Sequence, residues 1–482
     1  MSTRRRTWTL TALLALVCVV LAVPDARAEV DVADIFTEHA VLQADTTIPV
    51  WGTAAPGAEV RVSVAGTSAE CTADEDGRWR AEIGSLEPGG PHELIVETDE
   101  DGRLSRSDVM IGEVWLASGQ SNMVWPVRKT KTAEKAIEAG DRPHIRFFQV
   151  EHNPAGEPRP NPSGGSWVRS TPETVPGFSA AAYHFACALR ERLSVPVGII
   201  QSAVGGSRVQ AWMGRGYFAG NPRLRPDLEQ IEKLERKLDD LGDVENPRRT
   251  PTVYYNGMIA PLVPYAIRGA IWYQGEANAR IGDEERYEAA FSALINGWRR
   301  DWGRNFPFLF VQLPEFRGRG ERWIGIREQQ RLTNEHVANT AMVVTLGLGN
   351  PGNIHPRRKQ PVGRRLASAA LARAYGRTDA AWSGPLVQSA TALGGGKVTL
   401  DFGYVKRGLK ARGGGLTGFE VQDQEGDWME AEATISGNHV VVSSPVVPQP
   451  QAVRYGWSEV PEPSLVSGAG LPASPFKIDV SH

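Results

Sequence analysis

The amino-acid sequence predicts an α/β protein in which a doubly wound parallel sheet is flanked by two small all-β domains. Three observations predict it. The chain has 482 residues, too many for one ordinary core and enough for roughly two to four domains. Its long middle section alternates short apolar runs with helical patterns. Each end instead alternates apolar and polar residues between Gly-rich turns. Hydrophobic content of 41% and charged content of 23% are those of a soluble globular chain.

Residues 1–28 read as a signal peptide. Arg4, Arg5 and Arg6 precede an apolar run from Trp8 to Val23, and Ala26-Arg27-Ala28 forms a small-residue cleavage pattern. The expectation is a secreted or periplasmic protein mature from about Glu29. An uncleaved anchor is the competing reading, but the run is slightly short for a span. No later segment is apolar enough to cross a bilayer, so no membrane partner is expected after cleavage. Four Arg and one Asp leave with the leader, taking the formal charge from −3 to about −6. A mildly acidic chain does not suit nucleic acid. The basic run Pro356-Arg357-Arg358-Lys359 is read as a solvated helix start rather than a phosphate patch. Cys71 and Cys187 are the cysteines that remain, one in a predicted strand and one in a predicted helix, and the sequence does not pair them. No Cys/His cluster has metal-ligand spacing, and no metal is expected.

Residues 29–108 form the first β domain. EVRVSVAG, RWRAEIG and HELIVET alternate in strand fashion, and DEDG, EPGGP and a second DEDG supply the turns. A sandwich is expected.

The period then changes over residues 109–376. VWLA (Val114 to Ala117), VGIIQSA (Val197 to Ala203), IRGAIWY (Ile267 to Tyr273), FPFLFVQL (Phe306 to Leu313) and AMVVTLGL (Ala341 to Leu348) are apolar runs of strand length. SAAAYHFACALRERL, ERYEAAFSALINGWRRDW, IGIREQQRLTNEHVA and KQPVGRRLASAALARAYG carry helical patterns between and after them. That alternation implies parallel strands buried on both faces. An insertion at 214–250 contains PDLEQIEKLERKLDDLG, a charged helix read as a solvent-facing excursion, with a lid over the site as the weaker reading. Residues 377–482 return to short strands such as KVTLDF, HVVVSS and AVRYGW and close the chain with a second β domain.

Ligands of open parallel sheets bind outside the carboxyl ends of the strands. The segments that follow the predicted strands are therefore the informative ones: SGQSNM with Gln120 and Ser121, VGGSRVQAW with Gly205, Gly206 and Arg208, QGEAN with Gln274, Glu276 and Asn278, and NIHP with Asn353 and His355. Acyl transfer to water needs a nucleophile, a base and donors for the oxyanion. Ser121, His355, the backbone around Gly205-Gly206 and the Gln274 carboxamide meet those needs. Singly, each has a plainer reading as a cap, a turn or a polar strand end. The Gly-x-Ser-x-Gly elbow of α/β-hydrolases is absent.

GEVWLASGQSNM, VPVGIIQSAVGGSRVQAW, YNGMIAPL, IRGAIWYQGEAN and NIHPRRKQPVGRRLA resemble, in order, blocks of the sialate O-acetylesterase family within the SGNH hydrolase superfamily. VLQADTTIPVWGTAAPGAEV near the start, and AVRYGW followed by GLPASPF near the end, extend the resemblance over almost all of the mature chain. It implies a flavodoxin-like sheet of the SGNH type, a carboxylic ester hydrolase, and acetylated sialic acid or polysaccharide as substrate, with no cofactor. By the same resemblance Ser121 is the nucleophile, His355 the base, and Gly205 or Gly206 with Gln274 the oxyanion hole. Gln120, Glu276, Asn278 and Arg208 complete the candidate substrate-binding set. Arg208 and Trp212 are read either as sugar contacts or as packing residues.

Two departures from the family pattern matter. Asn353 stands where relatives carry Asp two residues before the histidine, and Gly352 where the superfamily pattern has one three before it. In GGSRVQAW, Ser207, Arg208 and Gln210 replace a Thr-Pro pair and a Glu. Amidating a triad acid costs a serine protease about 10⁴-fold in turnover. Two readings therefore stand: an exported acetylesterase using a dyad or an Asn353-supported triad, with Glu276 as a substitute acid from elsewhere, or a catalytically impaired carbohydrate-binding homologue.

Overall fold

The computed structural model describes residues 30–99, 102–237, 244–379 and 381–481. The leader expected at 1–28 lies outside the described residues. The protein is mixed α/β, with one 11-stranded mixed sheet and, among the described residues, four smaller antiparallel sheets.

The large sheet is built around β1, Arg103–Gly119, a strand of 17 residues whose halves follow different rules. Residues 103–108 alternate in exposure and lie antiparallel to Gly89–Thr98. Residues 109–119 are continuously buried, as a strand covered on both faces must be. The boundary placed at 108/109 thus falls inside one strand. Asp108, at the change, has φ +55 and is pinned by Arg146 at 2.9 Å and by Arg169 and His39.

Beyond β1 come β2 (Arg142–Gln149), β3 (Trp167–Ser170), β4 (Val197–Ala203), β5 (Gly269–Tyr273), β6 (Phe308–Val311) and β7 (Thr340–Val343). Their order is β3-β2-β4-β1-β5-β6-β7, parallel throughout except for β3 against β2. The five apolar runs expected to be strands are β1 and β4 to β7; the β2-β3 hairpin is an addition that the apolar-run pattern did not reveal.

Helices cover both faces. They include α1 (Ser121–Val124), α2 (Ala180–Leu193), α3 (Arg225–Glu235), α4 (Glu276–Ile281), α5 (Tyr287–Asp301), α6 (Glu321–His336) and α7 (Lys359–Ala374). Trp115 of β1 meets Phe185 of α2 at 5.1 Å, whereas Trp272 of β5 packs on Trp298 of α5 at 5.9 Å. Trp272 is in register with Ser118, three residues along β1 from Trp115, and side chains alternate along a strand. The two indoles therefore point to opposite faces. Gly363 brings α7 against α2, since a Cβ there would come within 2.6 Å of the Phe185 backbone nitrogen.

One hydrophobic core runs from Val30 to Leu386 and joins the N-terminal strands to the large sheet. A second, from Val387 to Val480, fills the C-terminal β sheets. The insertion is more firmly docked than a solvent-facing excursion: Asp227 and Ile231 of α3 are buried. Cys71 and Cys187 are unpaired. No described helix is long and apolar enough to cross a membrane.

Candidate active site

β1 ends at Gly119, where the chain passes so close to β5 that a Cβ would stand 2.3 Å from the Tyr273 carbonyl oxygen. The residue also has φ +130, which glycine alone adopts readily. Gln120 then donates its backbone N–H to Tyr273, and Ser121 opens the short helix α1. Ser121 is thereby fixed at the carboxyl edge of the parallel sheet.

His355 reaches the same edge on the loop that follows β7. The Glu315 carboxylate anchors that loop by accepting the backbone N–H groups of Gly347 and Gly349, and Arg358 donates to the Gly347 carbonyl at 2.8 Å. The outcome is a distance of 2.9 Å between His355 Nε2 and Ser121 Oγ. Trp125, four residues past Ser121, stacks on the imidazole with centroids 4.7 Å apart and planes 14° apart. Burial pushes the His355 pKa below its ordinary value, and the charges of Lys359 and Lys129 push it further. The imidazole is held in its neutral form, the one that accepts a proton.

Gly205 faces the serine: a Cβ built on it would lie 3.6 Å from Ser121 Cβ. Gly206 follows at φ +78 and turns the chain away. The backbone N–H groups of Ser121 and Gly205 donate to no described group. A hydroxyl within hydrogen-bond reach of an imidazole, beside two backbone donors without described partners, is equipment that acyl transfer can use.

A family model described as carbohydrate esterase, sialic acid-specific acetylesterase, matches residues 111–372. The chain belongs to this family. It is similar to the sialate O-acetylesterases of Rattus norvegicus, at 29% identity over 90% of this chain and 91% of that one, and of Homo sapiens, at 28% identity over 89% and 88%. Among solved structures it is similar to a carbohydrate acetylesterase from Xanthomonas citri, with 37% identity, a TM-score of 0.83, and coverage of 93% of this chain and 99% of that one. The protein is an esterase of the carbohydrate acetylesterase kind.

Several residues expected in the esterase site do other work. Gln274 is fully buried, and its Nε2 hydrogens go to the Ser207 carbonyl at 3.1 Å and Asn278 Oδ1 at 2.8 Å, while Tyr287 donates to its Oε1. With both donors engaged it has none for an oxyanion. Asn278 is engaged likewise, accepting from Val209 N–H and donating to Gln210 and Asp283. Gln274 and Asn278 therefore brace the Gly205-Gly206 loop. Arg208 is buried between Asp227 at 3.1 Å and Asp283 at 3.0 Å, with Arg286 completing a balanced cluster that docks α3. Its charge is neutralised internally and is not offered to a sugar; Trp212 too is fully buried.

Asn353 does not orient the imidazole. It is exposed, and its Oδ1 accepts the backbone N–H of His355 at 2.8 Å, a local turn bond that short polar side chains favour. Glu276 is no substitute acid either: its Oε1 takes Asn122 Nδ2 at 2.5 Å, and its Oε2 bonds no described group, the imidazole included. Among the described residues no carboxylate pairs with the His355 ring. Gln120 Oε1 accepts from Ala277 N–H at 3.0 Å, leaving its amide nitrogen without a described partner close to Ser121.

Sequence reasoning missed Trp125, Asn122, Glu315 and Lys359. Asn122 and Trp125 lie in the block around Ser121, and only their placement was lacking. Lys359 was hidden by its basic neighbours: Arg357 and Arg358 are exposed as a solvated helix start requires, but Lys359 is 0% exposed.

Proposed function

We propose that the chain is an exported O-acetylesterase that removes acetyl groups from sialic acid or from the sugars of an acetylated polysaccharide, by serine nucleophilic catalysis. The observation that carries this reading is the 2.9 Å approach of His355 Nε2 to Ser121 Oγ beside Gly205. Ser121 Oγ attacks the acetyl carbonyl carbon as its proton passes to His355 Nε2. The oxyanion is met by the N–H groups of Ser121 and Gly205, with the Gln120 amide as a side-chain candidate in place of Gln274. The C–O bond to the sugar then breaks, and the sugar oxygen takes the proton from His355. Water attacks the acetyl-serine with His355 again accepting the proton, releasing acetate and restoring Ser121.

An acetyl ester has a better leaving group than an amide, so a Ser-His dyad can suffice where no described carboxylate backs the histidine. We read the sheet as the SGNH hydrolase fold; with the β2-β3 hairpin set aside, the remaining strands run 2-1-3-4-5 when renumbered along the chain, the flavodoxin-like order. The leader at 1–28 routes the esterase to the periplasm or the exterior, and the exported form should begin near Glu29.

Acetate release from O-acetylated sialic acid, acetylated polysaccharide and an aryl acetate by the purified chain tests the reading against Ser121→Ala. The variant should retain no more than background activity. Equal rates from the two chains would remove serine catalysis from consideration.

A further inference from the structure

Asn122 is fully buried and every polar atom of its side chain is used. Oδ1 accepts from the Lys359 ammonium, while Nδ2 donates to Glu276 Oε1 at 2.5 Å and to the Ile354 carbonyl at 2.9 Å. The amide has one satisfactory orientation, because flipping it would set NH₂ against the ammonium. One carboxamide thereby ties the residue after Ser121 to the residue before His355.

The groups that hold it are costly ones. Lys359, at the start of α7, is fully buried with its Nζ 4.8 Å from the centroid of the Tyr273 ring. Glu276, at the start of α4, is 2% exposed and its Oε2 has no partner among the described residues. Two opposite charges withdrawn from water and joined through an amide are weak evidence for stability, because desolvation can exceed the attraction regained; what the arrangement does fix is a geometry. The geometry fixed here is the span between the serine loop and the histidine loop.

We propose that Asn122, clamped by Lys359 and Glu276, is the positioning residue that sets His355 against Ser121 where no described carboxylate stands behind the histidine. The inference rests on the reading of those two residues as base and nucleophile. Asn122 acts on the imidazole through the backbone at Ile354, and it touches neither substrate nor the reacting atoms. The charged and titratable groups around the pair are Lys359 from α7, Lys129 from the segment after α1, Glu276 from α4 and Tyr273 from β5.

The test measures kcat and KM for an aryl acetate across pH, with near-UV circular dichroism to verify folding, in the full chain and in Ser121→Ala, Asn122→Asp, Lys359→Met and Glu276→Gln. Asn122→Asp can still accept from Lys359 but cannot donate to Ile354. It should lose about 10²-fold in kcat, the cost of a misplacement near 1 Å, with KM changed less than about twofold. Glu276→Gln keeps an acceptor for Asn122 Nδ2 and should lose less than about tenfold, well short of Asn122→Asp. Lys359→Met should lower kcat with KM held and move the acid limb of kcat/KM to higher pH, since a charge that disfavours the imidazolium is gone.

A folded Asn122→Asp chain with wild-type kcat overturns the inference. So does a Glu276→Gln chain as impaired as Asn122→Asp, which would make the Glu276 charge a distant substitute for the missing acid. If Asn122→Asp does not fold, Lys359→Met decides, and wild-type kcat with an unmoved acid limb overturns the inference. A wild-type chain no faster than Ser121→Ala defeats the serine-esterase reading itself, a separate outcome.

Discussion

Asn353 Oδ1 accepts the backbone N–H of His355 at 2.8 Å and makes no bond to its imidazole. The amide thus stabilises a turn at the place where a triad acid would stand. Replacing it by Ala removes one exposed hydrogen bond, about 1 kcal/mol. Asn353→Ala should therefore lose no more than about fivefold in kcat/KM, whereas His355→Ala removes the proposed general base and should lose about 10²- to 10⁴-fold. Steady-state kinetics on an aryl acetate checks the contrast, and similar losses in the two variants would restore Asn353 to the catalytic set.

The pH profile follows from the same histidine. Its pKa is lowered from 6.5 by burial and by the Lys359 and Lys129 charges, and in the proposed role of base the imidazole must be neutral. Activity should rise with pH through that lowered value, so the acid limb of kcat/KM falls below pH 6.5 and the enzyme stays active in mildly acidic medium. An acid limb above pH 6.5 in the wild-type chain would show an unrecognised anion stabilising the imidazolium.

Gln210 stands where the family pattern has Glu, and its Nε2 donates to Asp283 Oδ2 at 2.5 Å inside the buried Arg208 cluster. Gln210→Glu would set carboxylate against carboxylate. A pair so close cannot fully ionise, and one pKa would rise above its unfolded value. The variant should be destabilised by about 1–3 kcal/mol at neutral pH. The deficit should shrink as pH falls toward the carboxylate range, where the extra proton is bound. Urea unfolding at pH 7 and pH 5 measures it; a deficit that grows on acidification would refute the like-charge account.

Burial pushes the Lys359 ammonium down to about 7 from 10.5, against the opposing pull of Glu276. Between those values the unfolded chain holds a proton that the folded chain has released, so stability from this group rises with pH from about 7 to 10.5. In Lys359→Met that contribution is gone. The difference between wild-type and variant melting temperatures should move in favour of the wild type as pH is raised through this window, and a difference independent of pH would place Lys359 in water.

Much of this site was legible because strands and the loops behind them are adjacent in the sequence. Ser121, Gly205 and His355 follow apolar runs of strand length, and a parallel sheet brings such positions to one edge. The roles of Gln274, Asn278 and Arg208 were not legible, since each depends on a partner in another loop: Ser207 for Gln274, Gln210 for Asn278, Asp283 for Arg208. A polar residue in a site loop reads alike whether it faces substrate or another loop. Lys359 was obscured because charge runs are usually solvated, and a helix start can present two basic residues to water and bury the third. The β2-β3 hairpin was missed because RPHIRFFQ has no clean alternation: its first three residues are outside the core and its next four are buried.

The 17-residue β1 has a practical consequence for anyone who trims this enzyme. Its outer end is stitched to the N-terminal strands, and Ser121 lies two residues past its inner end. A shortened version starting at residue 109 would begin in mid-strand and strip away the neighbours that hold the rod straight. The N-terminal module is less an appendage than the handle of the tool, and fusion partners or affinity tags are better placed directly before Val30, in place of the leader or after it, than at the apparent joint.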